Sequence, residues 1–239
     1  MTQQAYKPFK GRTIRITVMD ACCTPPASGT QAAIGVFDSY LTVSLEPNIE
    51  EGERAFERKA NGDVCLNEKE DDLLQDIAVT VTMCQVLPEV VSAMTGWPVT
   101  RDPSSQKAIG FDFLEGASDG STAFESWTGV SGIDCGEGAK YGYNVFPCVN
   151  GWMISEAIEW GGADTIAQIV LKGTASSKHV WGNGPYNVQN GVGAVPGPLV
   201  DELASGAFGR TMVVDIAPPS VTDGMVPATA GNGYLHPPV

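Results

Sequence analysis

The sequence predicts a mainly β protein with one short α-helix. Glycine and proline are abundant, with 28 and 16 residues in a chain of 239, and they separate short apolar runs in the way that turns separate strands. Several of those runs alternate apolar with polar residues, which is the pattern of a strand with one buried face. We expect roughly nine to eleven strands in a single domain over residues 1–239, with an extended segment at 1–11 and an irregular C-terminal arm from about 178 to 239.

The first part of the chain contains the most regular strand patterns. In residues 12–20 (RTIRITVMD), Ile14, Ile16 and Val18 fall on one side, which predicts a half-buried strand. A second β-rich run follows at 35–47 (GVFDSYLTVSLEP). Residues 76–84 (DIAVTVTMC) alternate most cleanly, so we expect a strand there with its apolar residues buried and its threonines on the other face.

One segment predicts the helix, at residues 87–96 (LPEVVSAMTG). Pro88 suits the first helical turn, the apolar residues recur at helical spacing, and Gly96 can end the helix. Beyond it we expect at most one further helical turn, near residues 199–204.

The second half of the chain is less regular. Residues 117–138 are rich in Gly, Ser and Asp, which predicts a long loop with a short strand near 124–128. Asn150-Gly151 and Gly161-Gly162 then separate three β-rich runs and predict hairpin turns. The runs with strand character are KAIGFDFLEG, YGYNVFPCV, WMISEAIEW, TIAQIVLKG and, near the C-terminus, RTMVVDIAPP.

The charge balance argues against nucleic-acid binding through phosphates. The chain has 28 acidic and 14 basic residues and a formal net charge of −14. Phosphate binding requires clustered Lys and Arg, and the sequence has no such cluster. It also has no apolar run long enough for a transmembrane helix and no secretory signal pattern, so we expect a protein that is made and folded in a cytosol.

The six cysteines predict mainly free thiols. A cytosolic origin disfavours disulfides, and a buried Cys behaves as a small hydrophobic residue. Bridges Cys65–Cys84 or Cys135–Cys148 are the less favoured alternative. The spacing of zinc ligands is absent, since Cys22 and Cys23 are adjacent, and we expect neither a metal nor another cofactor.

The sequence offers little from which an enzyme could be built. The segment GASDG around Ser118 matches the serine-hydrolase pattern, but no helix pattern follows it, and only His179 and His236 could act as a base. Glu156 lies within an apolar run, where an acid more often pairs with a base or sits at a subunit contact than acts in catalysis. We therefore expect a protein that is not an enzyme.

The most unusual stretch is the acidic segment at residues 46–76. It contains eleven acids and four bases, a local balance of 4 − 11 = −7 that is half of the charge of the whole chain. Asn61-Gly62 in its middle predicts a β-hairpin with a type I′ turn. Charge concentrated on one hairpin indicates an electrostatic role, although a solvated face has the same composition.

Several motifs together resemble one family. The segments RITVMDAC, LTVSLEPNIEEGERAFERKANGDVC, VTVTMCQVLPEVVSAMTGWPV, IGFDF, YGYNVFPCVNGW and WGNGPYNV with PGPL occur in this order. The chain resembles, from about Arg12 to Pro218, the major tail (tail tube) protein of long-tailed bacteriophages that infect actinobacteria. Two segments depart from the family pattern: DACC stands where a Cys-Gly pair is usual, and YNVFPCV replaces a Leu-rich strand.

The resemblance implies a fold, an assembly and a location. The implied fold is a tail-tube-type β-sandwich or barrel with one short flanking helix and extended loops or arms. Six copies would form a ring whose inner sheets join into one barrel, and stacked rings would form a tube through which DNA passes without specific binding. The implied partners are the tape measure, tail terminator and distal tail proteins, and the implied location is the virion tail, assembled in the cytoplasm of the bacterial host and without a membrane.

A tube for DNA gives the acidic hairpin a physical role. DNA carries about one negative charge per ~1.7 Å of duplex, so an acidic lumen repels it and lets it slide. Nearby bases would then pair with acids, including those of neighbouring subunits. The candidate lumen-facing acids are Glu46, Glu50, Glu51, Glu53 and Glu57, and the candidate inter-subunit charge partners are Arg54, Arg58 and Lys59.

Two other function classes remain open from the sequence. A tail terminator or a capsid decoration protein would share this architecture without polymerising into a tube. A carbohydrate-binding β-sandwich would use aromatic stacking faces, with Trp152 and Trp160 as candidates, although aromatic residues on an alternating strand are more often core.

Overall fold

The computed structural model describes residues 7–30, 32–116, 120–131, 140–158, 168–184, 197–232 and 234. Within these residues the chain forms thirteen β-strands, one α-helix and one short 3-10 helix. The prediction of a mainly β fold with a single short α-helix is confirmed. The strands are β1 Lys7–Met19, β2 Ile34–Phe37, β3 Tyr40–Glu50, β4 Arg54–Arg58, β5 Val64–Lys69, β6 Leu73–Met83, β7 Val99–Arg101, β8 Ala108–Phe111, β9 Ser121–Ser131, β10 Tyr141–Ile154, β11 Ile169–Ala175, β12 Arg210–Val214 and β13 Met225–Val226.

Nine of these strands form one antiparallel sheet. Its order is β13-β2-β1-β9-β10-β11-β6-β3. The long strand β10 pairs with β12 through its first half and with β11 through its second half. The remaining strands form two ribbons, β4-β5 and β7-β8.

The sheet curls around its main hydrophobic core. Ile14 and Ile16 of β1 belong to the same buried cluster as Val79 and Val81 of β6, although three strands separate β1 from β6 in the sheet. Strands that far apart can share one core only if the sheet is strongly curved. The helix α1, Pro88–Thr95, packs into the same cluster through its apolar face.

A second core covers the opposite face of the sheet. Trp127 and Tyr143 point into it from β9 and β10, and the irregular C-terminal segment covers them with residues such as Leu199 and Tyr234. As a result β1 is buried on both faces, and Arg15 is only 1% exposed. The prediction of a half-buried strand at residues 12–20 is therefore wrong, because the C-terminal segment covers the polar side as well.

The helix agrees with its sequence signals. Gly96 adopts φ 74° and its N–H donates to the carbonyl oxygen of Ser92, which is the left-handed end that glycine favours. The predicted second turn near residues 199–204 is not helical, and the additional short helix lies at Ala230–Asn232. The buried face of β6 is also as predicted, with Val79, Val81 and Met83 fully buried.

Three predictions in the second half are wrong in detail. Asn150-Gly151 does not make a hairpin turn, because it lies inside β10, where the register with β11 shifts. A β-bulge at this shift accommodates the positive φ of Gly151. Strand β9 has eleven residues instead of a short piece inside a loop. Strand β10 ends at Ile154, so the strand predicted from WMISEAIEW does not continue through Glu156, which is exposed beyond it.

The prediction of mainly free thiols is wrong for two cysteines. Cys23 and Cys148 form a disulfide, with their Cα atoms 5.5 Å apart. The physical reason is the sheet order, which places the loop after β1 beside β10 across a single intervening strand. Cys22, Cys65 and Cys84 are free thiols, so Cys65–Cys84 is not a bridge, and Cys135 lies outside the described residues.

Candidate assembly surface

The acidic segment forms a long projecting arm at one edge of the sheet. We call residues 46–76 the arm. Its base consists of the ends of β3 and β6, and its outer part is the ribbon β4-β5, which we call the tip. Almost every arm residue is exposed. The predicted hairpin is therefore confirmed, and it is longer than the sequence indicated.

The base and the tip are joined by a compact junction. The N–H of Glu70 donates to the carbonyl oxygen of Glu53 at 2.9 Å. The Asp72 carboxylate accepts from the N–H of Gly52 at 3.0 Å and from the Lys69 ammonium at 2.8 Å. The hydrogen bonds from Lys69 and Gly52 lower the pKa of Asp72, and Asp72 raises the pKa of Lys69. A Cβ at position 52 would lie 2.0 Å from the Glu70 carbonyl oxygen, so the junction requires glycine there.

The turn at the tip differs from the expected type. The N–H of Gly62 donates to the carbonyl oxygen of Lys59 at 2.9 Å, and the N–H of Lys59 donates to the carbonyl oxygen of Asp63 at 2.8 Å. Gly62 has φ 90°, whereas Asn61 does not have a positive φ. A type I′ turn requires positive φ at both residues, so this is instead a type I turn followed by a left-handed glycine.

The arm continues from the edge strand of the sheet. Among the described strands, β3 pairs only with β6, so its other side is unpaired over eleven residues. A long unpaired edge offers N–H and C=O groups to another strand. Pro47 lacks an N–H and so removes one donor from β3.

The five candidate lumen acids do not share one surface. Glu46 and Glu50 lie on the same face of β3 by its alternation, and Glu46 is 75% exposed, 3.9 Å from the Lys172 ammonium. Glu50 accepts a hydrogen bond from Gln75. Glu51 and Glu53 lie in the connection between β3 and β4. Glu57 lies in β4, at the tip.

Closer to the sheet, the face that Glu46 and Glu50 share carries mainly side chains with hydroxyl groups. Cross-strand register aligns Thr42 with Thr82, and Ser44 with Thr80 and Lys172. Residues directly opposite each other point to the same side of a sheet. The outer face of β3, β6 and β11 is therefore a surface of threonine and serine that becomes acidic toward the arm.

The three candidate charge partners form no ion pair within the described chain. Arg54 donates to the Asn67 amide oxygen at 3.0 and 2.8 Å, and Arg58 donates to the carbonyl oxygen of Gly62 at 3.3 Å. Both guanidinium groups lie against the Phe56 ring, 5.8 and 5.3 Å from its centroid. Lys59 contributes its backbone to the turn. Pairing of these bases across subunits stays a prediction.

Sequence reasoning missed an apolar face that begins at Leu45, next to the arm, and continues onto it. Leu45, Ile49 and Leu74 are 39%, 55% and 43% exposed and lie on the side that continues from the main core. Next to them an apolar cleft of about 340 Å³ is lined by residues that include Phe146 and Phe208. The sequence signal for this face is the alternation of apolar residues in LEPNI (residues 45–49), which lies within a segment of acidic composition.

The other sequence candidates do not assemble into a site. Trp152 is fully buried and its indole N–H donates to Thr122 at 2.8 Å, so it cannot stack on a carbohydrate. Ser118, Trp160 and His236 lie outside the described residues. Nowhere in the described chain do three or more metal-binding side chains come together, and none of its helices has the length and apolar character to span a bilayer.

Comparison with known proteins gives no family for this chain. No protein-family model matches it, and no curated protein is significantly similar to it. The features of the described chain that bear on function are therefore its unpaired edge strand and its arm.

Proposed function

We propose that this protein is a structural subunit that assembles with copies of itself into rings, and that the rings stack into the tail tube of a long-tailed bacteriophage. The single observation that carries the proposal is the exposed two-stranded arm that continues from an unpaired edge strand. Such an arm adds nothing to the core of one subunit, whereas in an assembly it can lie against a neighbour.

The edge strand supports association through the backbone. An exposed, long edge is a hazard for a monomer because another strand can pair with it. In a closed ring each edge is covered by the next copy, so no free edge remains. The exposed side chains of Leu45, Ile49 and Leu74, on the arm and next to it, supply apolar surface that would be buried on assembly.

The outer face of β3, β6 and β11 supports the role of a conduit. Its threonine and serine hydroxyls are neutral, and its cation Lys172 has the Glu46 carboxylate 3.9 Å away. A wall of this kind has few free positive charges for DNA phosphates. Glu46 and Glu50 extend the same face with negative charge, so they are the candidate lumen acids that this geometry favours.

Electron microscopy of the purified protein at increasing concentration tests the assembly. We expect stacked rings or hollow tubes, because each subunit carries both an edge and an arm. A single closed ring that never stacks, even when preformed tails are added as seeds, would indicate a tail terminator instead. Subunits that add neither to each other nor to seeds would refute the proposal.

Particles that carry Lys at the two favoured acids test the conduit. Glu46→Lys with Glu50→Lys raises the charge of that face by four units in each subunit. We expect DNA ejection to be slower at low salt, and its rate to recover at higher salt, which screens the charges. Glu115→Lys with Glu156→Lys is the matched control at exposed positions away from the arm. Equal ejection rates in both variants would remove the electrostatic part of the proposal.

A further inference from the structure

The tip of the arm has two faces of opposite charge. Cross-strand register places Arg54 opposite Lys69, Phe56 opposite Asn67 and Arg58 opposite Val64. Because directly opposed residues share a face, these six form one surface, which we call the basic face. The other side of the same ribbon, which we call the acidic face, carries Ala55, Glu57, Leu66 and Glu68.

The basic face is arranged around one aromatic ring. The Arg54 and Arg58 guanidinium groups lie 5.8 and 5.3 Å from the centroid of Phe56, and the hydrogen bonds of Arg54 to Asn67 hold it in place. Phe56 is 44% exposed and Val64 is 51% exposed. Arg54 and Arg58 contact only neutral acceptors in the described chain, so both remain available to carboxylates of another molecule.

The acidic face has the complementary composition. Glu57 and Glu68 are exposed, and neither has an ion-pair partner among the described residues. Ala55 lies opposite Glu68, and Leu66 lies opposite Glu57, so each carboxylate has an apolar neighbour on this face. Two carboxylates beside apolar side chains on this face complement two guanidinium groups beside a phenyl ring on the other.

We propose that the tips of neighbouring copies stack face to face, with the basic face of one copy on the acidic face of the next. This inference deepens the proposed function and rests on it in one respect, namely that the partner is a second copy of this chain. The contact is heterologous because its two surfaces differ, and such contacts generate closed rings or open filaments. Each copy would then place Arg54 and Arg58 against Glu57 and Glu68 of its neighbour, with Phe56 against Leu66.

Charge favours a second copy over nucleic acid as the occupant. The arm as a whole has a balance of −7 and the chain one of −14, so DNA would meet net repulsion as it approached the basic face. A neighbouring tip brings two carboxylates to the two guanidinium groups at every contact. The rest of each copy is acidic, so other contacts between copies are repulsive. This repulsion makes the register of the tip contact specific.

Charge-reversal variants test the inference. Arg54→Glu with Arg58→Glu makes both faces acidic, and Glu57→Lys with Glu68→Lys makes both faces basic. We expect the self-association constant of each variant alone to be lower than that of the wild type by about tenfold or more, measured by sedimentation at low salt. An equimolar mixture of the two should associate again, because every interface in an alternating assembly is then complementary. The variant with all four substitutions should also associate, since its charges are merely exchanged.

Matched controls separate a specific contact from a change of net charge. Lys107→Glu with Lys178→Glu changes the charge as much as the first variant, and Glu115→Lys with Glu156→Lys as much as the second. These side chains are exposed and lie away from the tip, so both controls should associate like the wild type. Circular dichroism of every variant should match the wild type, since all the substituted side chains are exposed.

The outcomes are distinguishable from those of the proposed function. If the wild type forms tubes and both single-face variants do so equally well, tip stacking is refuted while the tube function stands. A second outcome is that the wild type forms only small oligomers, which each single-face variant loses. If the mixture and the variant with all four substitutions form those oligomers again, tip stacking stands and the tube function fails. Loss of duplex DNA binding in the Arg54→Glu/Arg58→Glu variant, with association unchanged, would refute a second copy as the occupant.

Discussion

Removing one member of the buried ion pair between β1 and β9 should destabilise the protein strongly, whereas removing the whole pair should not. The Arg15 guanidinium donates to the two carboxylate oxygens of Glu125 at 2.6 and 2.8 Å, and the two side chains are 1% and 0% exposed. Tyr143 also donates to this carboxylate, and the guanidinium lies 5.2 Å from the centroid of the Trp127 ring. The pair is therefore satisfied by its neighbours and isolated from solvent.

The magnitude follows from the cost of a buried charge that lacks its counter-ion. Glu125→Leu leaves the Arg15 guanidinium buried without its carboxylate, and breaking a buried pair in this way costs about 3–5 kcal/mol. Replacing both charges by apolar residues is often neutral or stabilising. We therefore expect Arg15→Met/Glu125→Leu/Tyr143→Phe to recover most of the loss, since the triple variant also removes the hydroxyl that would lose this acceptor.

Urea unfolding followed by circular dichroism measures both effects. With an m-value of about 3 kcal/mol/M, the single variant should unfold at a urea midpoint lower by about 1–1.7 M. The triple variant should lie much closer to the wild type. A single variant with an unchanged midpoint, or a triple variant as unstable as the single one, would refute the reasoning that the pair forms one electrostatic unit.

Three further predictions concern stability. Reduction of Cys23–Cys148, or its replacement by serines, should lower the free energy of unfolding by about 2–5 kcal/mol, measured by urea unfolding with and without reductant; equal midpoints would contradict it. Thr17→Val should raise the free energy of unfolding by about 1 kcal/mol, because the fully buried Thr17 hydroxyl has no hydrogen-bond partner in the described chain. A lower urea midpoint in this variant would contradict that prediction. Burial lowers the pKa of His179 below its usual value of 6.5, although a hydrogen bond with Ala207 raises that pKa. The unfolded chain therefore takes up a proton at a higher pH than the folded chain does. As a result, stability should fall as the pH drops below about 6.5. Melting temperatures between about pH 7 and pH 5 should fall less in His179→Gln than in the wild type; parallel curves would contradict the assignment.

Local patterns were sufficient where a segment meets the core on one side. In β6 the alternation of apolar residues and threonines predicted which side chains are buried. The helix was predicted because Pro88 and Gly96 mark its ends and its apolar face packs into the same core. In both cases the local preference and the tertiary environment agree, which is the condition under which sequence patterns are reliable.

The predictions that failed depend on contacts between distant parts of the chain. The alternation in β1 predicts one buried face, but the C-terminal segment buries the other face too, and that contact has no local signal. The disulfide joins Cys23 to Cys148 across a separation of 125 residues, and only the sheet order brings them together. Asn150-Gly151 has the composition of a turn, but the strand continues through it as a bulge because both of its halves have partners in the sheet.

The arm shows why composition alone could not predict the candidate surface. A count of charges gives one acidic segment, and that count led to the expectation of a single acidic surface toward a lumen. The pairing of β4 with β5 instead separates the charges by face, because residues two apart in a strand point to the same side. Arg54, Phe56 and Arg58 thereby leave Glu57 on the opposite side of the ribbon. A net charge of −7 and a basic face are compatible for this reason, and the function of the arm is better described by the arrangement of its charges than by their sum.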